Sequence, residues 1–234
     1  MKRIVIAIVL TCALLTGCGV FDSEPIPTLV PTLPPVTAAP SPEPTPTPEP
    51  TPAPPPESEL PGFVEGRTYT NRYFGLTCML EPNWTIYTRA QIDELTAMAR
   101  EGMDETTAAA YDEALGEGGA AYAFIAAANK RELNMTVQKT APGSAEETLY
   151  AAAAELTLAL ESVGLANAQP EAGTTVLAGT ERPSLTVTGE LLGADWCVKS
   201  VALEAWGSVA VISASAPTAE DADELLALWQ PLEK

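Results

Sequence analysis

The sequence predicts an α+β fold in which helices pack on a largely antiparallel sheet of about six to seven strands. Apolar residues alternate along several short runs, which is typical of half-buried strands. Short turns join most of these runs, and parallel strands would instead need long crossovers. Other segments carry apolar residues three and four apart behind capping residues, which indicates helices that bury one face.

The first part of the folded region is predicted to contain two strands, two helices and a hairpin. Apolar residues alternate along the first strand, and Thr88 with Gln91 forms the capping-box pattern that starts a helix. Gly102 is a typical helix end. In chain order the elements are strands at 72–80 and 84–87, helices at 88–102 and 104–115, and a hairpin around 129–132.

The second part is predicted to be one long helix, a meander and a final helix. Ser144 and Glu147 form a capping box, and the helix behind them ends at Gly164. Strand-like runs follow at 174–177, 184–191, 196–205 and 209–216. Gly207-Ser208 fits a two-residue turn with glycine first. A helix from Pro217-Thr218 is predicted to place four apolar side chains inward: Ala222, Leu225, Leu226 and Trp229.

The chain begins with the pattern of an export signal. Two basic residues precede an apolar run over 4–15, shorter than the ~20 residues that a membrane-spanning helix needs. Leu15-Thr16-Gly17-Cys18 resembles the bacterial lipobox, in which the cysteine is diacylated and the chain is cut before it. The resemblance implies a signal peptide at 1–17 and a lipid anchor on Cys18, at the extracytoplasmic face of the bacterial cell membrane. The alternative is an ordinary cleavable signal with a chance cysteine.

Residues 18–61 are predicted to be the lipidated cysteine and a disordered linker. Sixteen of the 22 prolines lie between Pro25 and Pro61, and proline prevents both helix and sheet. Extended polyproline II rises ~3.1 Å per residue, so the linker reaches on the order of 100 Å. We expect it to hold one α+β globular domain, residues 62–234, away from the membrane. Recognition of the linker by a partner's aromatic groove is the alternative.

The charge of the chain limits its partners. The formal net charge is −19 at neutral pH. Such an excess of acid disfavours nucleic acid, which needs basic residues, and electrostatic adhesion to anionic lipid. The expected partners are the membrane, through acyl chains on Cys18, and an envelope protein or glycan, with no nucleic acid.

The folded region resembles the PsbP-like α/β/α sandwich superfamily. The resemblance rests on the order of the elements, on the opening "NRYFGLTCMLEPNW" and on the closing segment from Cys197 to Leu232. That superfamily includes photosystem extrinsic subunits and mycobacterial lipoproteins. The resemblance implies an antiparallel sheet with helices on it and a binding or accessory role, and it names no ligand.

The sequence offers no catalytic set. It contains no histidine, which excludes Ser-His-Asp and Cys-His catalysis and zinc sites that use histidine. Adjacent carboxylates at 104–105, 146–147 and 220–221 fall at predicted helix starts, where capping and the helix dipole explain them. We expect no catalytic residue, no metal site and no cofactor, and the chain is predicted not to be an enzyme.

Two pairs of residues are candidates for a site or a bridge. Trp196 and Trp206 have even spacing on one predicted strand, so they would share a face and form a ligand platform if that face were open. The alternative is that both tryptophans pack in the core. Cys78 and Cys197 are the cysteines of the folded region, and they form either a disulfide or two separate buried thiols.

Three functions fit these observations. The first is a surface-displayed binding or accessory module that is anchored by lipid. The second is a structural protein of the envelope with no small-molecule ligand. The third is a hydrolase that uses carboxylates alone, which requires two carboxyl groups facing each other in a cleft.

Overall fold

The computed structural model describes residues 55–101, 120–138 and 144–233, and they form two antiparallel sheets with helices. The helices are α1 (Arg89–Glu101), α2 (Ala145–Ala151), α3 (Ala153–Ser162) and α4 (Ala219–Leu226). The strands are β1 (Phe63–Glu65), β2 (Thr68–Asn71), β3 (Leu76–Met79), β4 (Thr85–Ile86), β5 (Ala120–Ala128), β6 (Arg131–Gln138), β7 (Leu165–Leu177), β8 (Thr180–Leu191), β9 (Ala194–Ala205), β10 (Ser208–Ala216) and β11 (Trp229–Pro231). The predicted α+β fold is confirmed, and the helix predicted over 104–115 lies outside the described residues.

The larger sheet has seven strands in the order β4-β5-β6-β10-β9-β8-β7. Four of its hairpins close through two-residue loops in which both residues have positive φ: Asn129-Lys130, Ala178-Gly179, Leu192-Gly193 and Trp206-Gly207. This backbone twist matches the twist of the flanking strands, as in type I′ turns. The last hairpin therefore turns one residue earlier than the predicted Gly207-Ser208.

The smaller sheet, in the order β1-β2-β3-β11, was not predicted from the sequence. The predicted final helix ends at Leu226, and Trp229 lies instead in β11, where it pairs with Cys78 of β3. Pro231 disfavours the helical conformation at Gln230, the residue before it, and lacks the backbone donor that a continuing helix would need.

The main core lies between the two sheets and under α4. Tyr69, Phe124 and Trp229 meet at its centre, with the Tyr69 and Phe124 rings stacked 4.5 Å apart and Trp229 packed edge-on against both. Cys78 and Leu76, which alternate along β3 as predicted, also belong to this core. The alternation is therefore confirmed over 76–79, whereas residues 72–75 of the predicted first strand form a turn.

The opposite face of the large sheet carries α1, α2 and α3. The predicted capping box of Ser144 and Glu147 is present, but the predicted long helix divides at Ala152 into α2 and α3. Ala152, the residue between the two helices, has φ −82° and ψ −2° and is fully buried. Leu149 before it and Leu156 after it both pack on the sheet.

Strand β7 is longer than predicted and forms one edge of the large sheet. Its first half was missed because Pro170 and a run of exposed residues do not resemble a core strand. An edge strand tolerates proline, because the lost donor leaves no neighbouring strand unpaired.

No helix within the described ranges is both long and apolar enough to cross a membrane.

Candidate functional site

The predicted lipidation residue, Cys18, lies outside the described residues, so its lipidation stays a prediction. The same is true of the signal peptide and of the linker up to residue 54. The described chain begins at residue 55, and Leu60 already packs into the main core.

The structure holds Cys78 and Cys197 as two separate free thiols and not as the disulfide that was one of the two expectations. Cys78 lies on β3 of the small sheet and Cys197 on β9 of the large sheet, each opposite a residue other than cysteine. Burial raises the pKa of the Cys78 thiol to about 12 and that of Cys197 to about 11. Neither thiol is activated as a nucleophile, because the thiolate is the reactive form.

Trp196 and Trp206 do not form the platform that even spacing predicted. Strand β9 ends at Ala205, and Trp206 lies in the following turn with a φ of +54°. Trp196 is buried and belongs to the core beneath α2 and α3, whereas Trp206 is 45% exposed. Of the two tryptophans, only Trp196 packs in the core, and Trp206 lies in a partly exposed turn.

An open groove lies at the end of the large sheet, beside the start of α4, and we call it the Trp196 groove. Its volume is about 400 Å³. It is lined by Asn167, Thr188, Gly189, Glu190, Asp195, Trp196, Cys197, Pro217, Thr218 and Ala219. Ligand pockets typically measure ~300–1,000 Å³, so this groove is large enough for a small organic molecule.

A β-bulge and a glycine shape one wall of the Trp196 groove. The register of β7 against β8 shifts between Ala166 and Gln169, and Asn167 within the bulge has a φ of +55°. At Gly189 a Cβ atom would lie 2.7 Å from the Ala166 carbonyl oxygen, so only glycine permits the two backbones to approach so closely. Bulges of this kind often re-aim side chains at functional sites.

Carboxylates line the same wall of the Trp196 groove. Glu190 and Asp195 are directly opposite each other in the β8–β9 register, and both are exposed. Among the residues that the structure describes, the lining includes no lysine or arginine. The basic side chain two residues beyond Cys197, Lys199, is already paired with Asp223 of α4, with 2.6 Å between nitrogen and oxygen.

The start of α4 supplies the other wall. The Thr218 hydroxyl accepts a hydrogen bond from the Asp221 backbone N–H at 3.1 Å and donates to the Asp221 carboxylate at 2.6 Å. The Thr218 and Arg131 hydrogen bonds hold the pKa of Asp221 below its usual value, with the Thr218 bond as the larger cause. Thr218 therefore caps the helix, and the carboxylates at 220–221 lie in its first turn, where the helix dipole favours negative charge as predicted.

A second group, which we call the buried polar row, crosses the helix-bearing face of the large sheet. It consists of Glu132, Asn134, Thr136, Ser200, Ser213 and Ser215. Asn134 donates to the Glu132 carboxyl at 3.3 Å, and the Ser200 and Ser213 hydroxyls bond each other at 2.8 Å. Ser215 faces Glu132 across the strands, and its hydroxyl has no hydrogen-bond partner among the described residues.

Burial raises the pKa of Glu132 to about 8, against a smaller lowering by the Asn134 hydrogen bond. Glu132 is therefore mainly protonated at neutral pH and can donate as well as accept. Sequence reasoning missed the row because alternation of polar residues along β6 is equally typical of a solvent-facing side. Among the described residues no group of three or more His, Cys, Asp or Glu side chains is placed to hold a metal ion.

The fold and the Trp196 groove thus define a sheet-based α+β domain with an open pocket at a strand end. No protein-family model matches the chain, and no curated protein matches it. The solved structures that are similar to it include three with low sequence identity.

One is LpqN of Mycobacterium tuberculosis, described as involved in cell envelope biogenesis, with 13% identity, a TM-score of 0.36, and coverage of 66% of this chain and 82% of LpqN. Another is cyanobacterial PsbP from Synechocystis sp. PCC 6803, with 10% identity, a TM-score of 0.41, and coverage of 70% and 91%. A third, from Bacteroides thetaiotaomicron, has 10% identity, a TM-score of 0.35, and coverage of 73% of this chain and 50% of its own. With TM-scores below 0.5, these likenesses carry no conclusion about activity.

Proposed function

We propose that the protein is a bacterial envelope lipoprotein whose folded domain is a non-catalytic binding or accessory module. Acyl chains on Cys18 anchor it at the extracytoplasmic face of the membrane, and the proline-rich linker holds the domain away from that surface. The Trp196 groove is its ligand site. The groove is the observation that carries the proposal.

The sequence supports the anchor and the spacer. Each buried CH₂ of an acyl chain contributes ~0.8 kcal/mol to membrane binding, so two chains hold the protein stably where a single chain is marginal. No lysine or arginine occurs between Ile4 and Gly66, so the linker has no basic group to draw it onto anionic lipid. An extended linker and two acyl chains together favour display of the domain away from the membrane.

The form of the Trp196 groove supports binding over a purely structural role. A bulge, a positive φ at Asn167 and the close approach at Gly189 all occur on one wall. Each is a departure from regular strand geometry, and such departures persist where a site requires them. The groove also combines apolar atoms of Pro217 and Ala219 with polar side chains, which is the usual composition of a ligand pocket.

A carboxylate-only hydrolase is the second candidate, because Glu190 and Asp195 face each other in the groove. Hydrolysis by two carboxyl groups needs one of them to be kept protonated by an apolar environment. Both of these side chains are exposed to solvent instead, which favours binding without catalysis. Release of product from polysaccharide or glycoside substrates that is lost in Glu190→Gln would establish the hydrolase.

The experiment that tests the binding function is capture of ligands from envelope extracts and glycan arrays by the full chain, compared with a variant whose groove is filled. Ala219→Trp places an indole in the groove, and Ala227→Trp places one on the exposed end of the same helix, outside the groove. We expect Ala219→Trp to lose the captured molecule and Ala227→Trp to retain it. Equal capture by both variants would show that the groove is not the site.

A further inference from the structure

We infer that the Trp196 groove binds the ammonium group of a small organic amine. The inference rests on the proposed function and adds to it the chemical class of the ligand. It follows from the charge, the size and the surroundings of the groove.

The charge of the groove favours a cation. Glu190 and Asp195 are opposite each other on adjacent strands, a pairing of like charges that destabilises a strand pair. Within the described part of the chain no basic side chain lines the groove to offset them, and the nearby Lys199 is held by Asp223. An ammonium group between the two carboxylates removes their repulsion and supplies the missing opposite charge.

An anion is not favoured by the helix that borders the groove. The positive end of the α4 dipole lies at Thr218 and Ala219. Its first turn already contains Glu220 and Asp221, and the Thr218 hydroxyl caps the Asp221 N–H. The positive end of the dipole is therefore compensated within the helix, and the uncompensated charge that faces the groove is negative.

The size of the groove favours an organic cation over a metal ion. Calcium takes about six to eight oxygen ligands at short range, and the described lining of the groove offers two carboxylates and no third acidic side chain. A volume of about 400 Å³ is far larger than a single ion. Pro217 and Ala219, which line the same groove as the carboxylates, provide apolar surface for the carbon skeleton of an amine.

Calorimetric titration of the full chain in mild detergent tests the inference with four probes: 1,5-diaminopentane, choline, calcium chloride and uncharged glucose. The test variant is Glu190→Gln/Asp195→Asn, which keeps the shape of the groove and removes both charges. The matched control is Glu65→Gln/Glu81→Gln, which removes two exposed charges at the small-sheet side of the domain, outside the groove. Unchanged thermal unfolding confirms that each variant is folded.

We expect at least one amine to bind, with affinity that falls with added salt, and to bind at least about tenfold more weakly to the groove variant. The control variant should match the wild type. Calcium binding without amine binding would overturn the inference in favour of a metal site. Glucose binding that survives in the groove variant would overturn the ammonium class and leave the proposed function intact. If no probe binds and Ala219→Trp also captures normally from extracts, the inference and the proposed function both fail.

Discussion

Replacing Glu132 by glutamine should remove most of the pH dependence of the protein's stability between pH 5 and pH 8. Glu132 is buried, and burial raises its pKa to about 8 from an ordinary value near 4.5. The folded state therefore prefers the protonated carboxyl. Its contribution to stability is fully present below about pH 4.5 and is lost as the pH rises through about 8.

The magnitude follows from the size of the pKa difference. A shift of one unit corresponds to 1.36 kcal/mol, so a difference of about three and a half units amounts to roughly 5 kcal/mol when complete. Between pH 5 and pH 8 the loss is about 3 to 4 kcal/mol, because the folded carboxyl is only half ionised at the upper end. Glutamine keeps the size and the hydrogen-bonding ability of protonated glutamate and does not titrate.

Urea unfolding of the wild type and Glu132→Gln at pH 5, 6, 7 and 8 measures the effect. The two proteins should have similar stability at pH 5, and the variant should become the more stable as the pH rises. Glu81→Gln, on an exposed residue, controls for the loss of one charge. Parallel pH profiles for wild type and Glu132→Gln would refute the assignment of a raised pKa to Glu132.

The remaining predictions concern the core, a helix start and the thiols. Trp229→Ala should lower the free energy of unfolding by about 3–5 kcal/mol, because it removes a large buried side chain. Trp229→Phe should lower it much less, because the indole N–H has no hydrogen-bond partner among the described residues. Equal losses for the two variants in chemical unfolding would contradict this. Ser144→Ala should lower the free energy of unfolding by about 1 kcal/mol, because it removes the N-cap of α2. Glu147→Gln keeps the capping box, so its melting temperature should be nearly that of the wild type. Cys78 should react with a thiol reagent only after unfolding, and Cys197, at the groove, sooner; rapid reaction of Cys78 in the native state would refute its burial.

Local patterns predicted most of the large sheet and the helix starts. The capping boxes at Thr88 and Ser144 are present in the structure, because a cap depends on residues three positions apart. The small sheet was missed because its strands have only three or four residues, alternation was recognised in β3 alone, and β11 comes from the far end of the chain. Long-range pairing of short strands leaves little local signal.

The candidate site was predicted only in part. Trp196 was singled out and does line the groove, but its partner there is not Trp206, since the turn began one residue earlier than expected. The groove joins residues of β7, the β8–β9 hairpin and α4, which no spacing rule connects. Glu132 and its neighbours form one row only because β6, β9 and β10 are adjacent, and sequence alternation does not say which face of a sheet is covered.

The measurement that tests the central claim of a lipid-anchored envelope module most directly is labelling of cells with radioactive palmitate, followed by membrane fractionation. Wild type and Cys12→Ala are compared with Cys18→Ala, since Cys12 lies in the signal and Cys18 at the predicted lipidation position. The wild type and Cys12→Ala should carry label and sediment with the membrane, and Cys18→Ala should carry none and move to the soluble fraction. Unlabelled wild-type protein, or Cys18→Ala that stays labelled and membrane-bound, would contradict the anchor and with it the proposed placement of the domain.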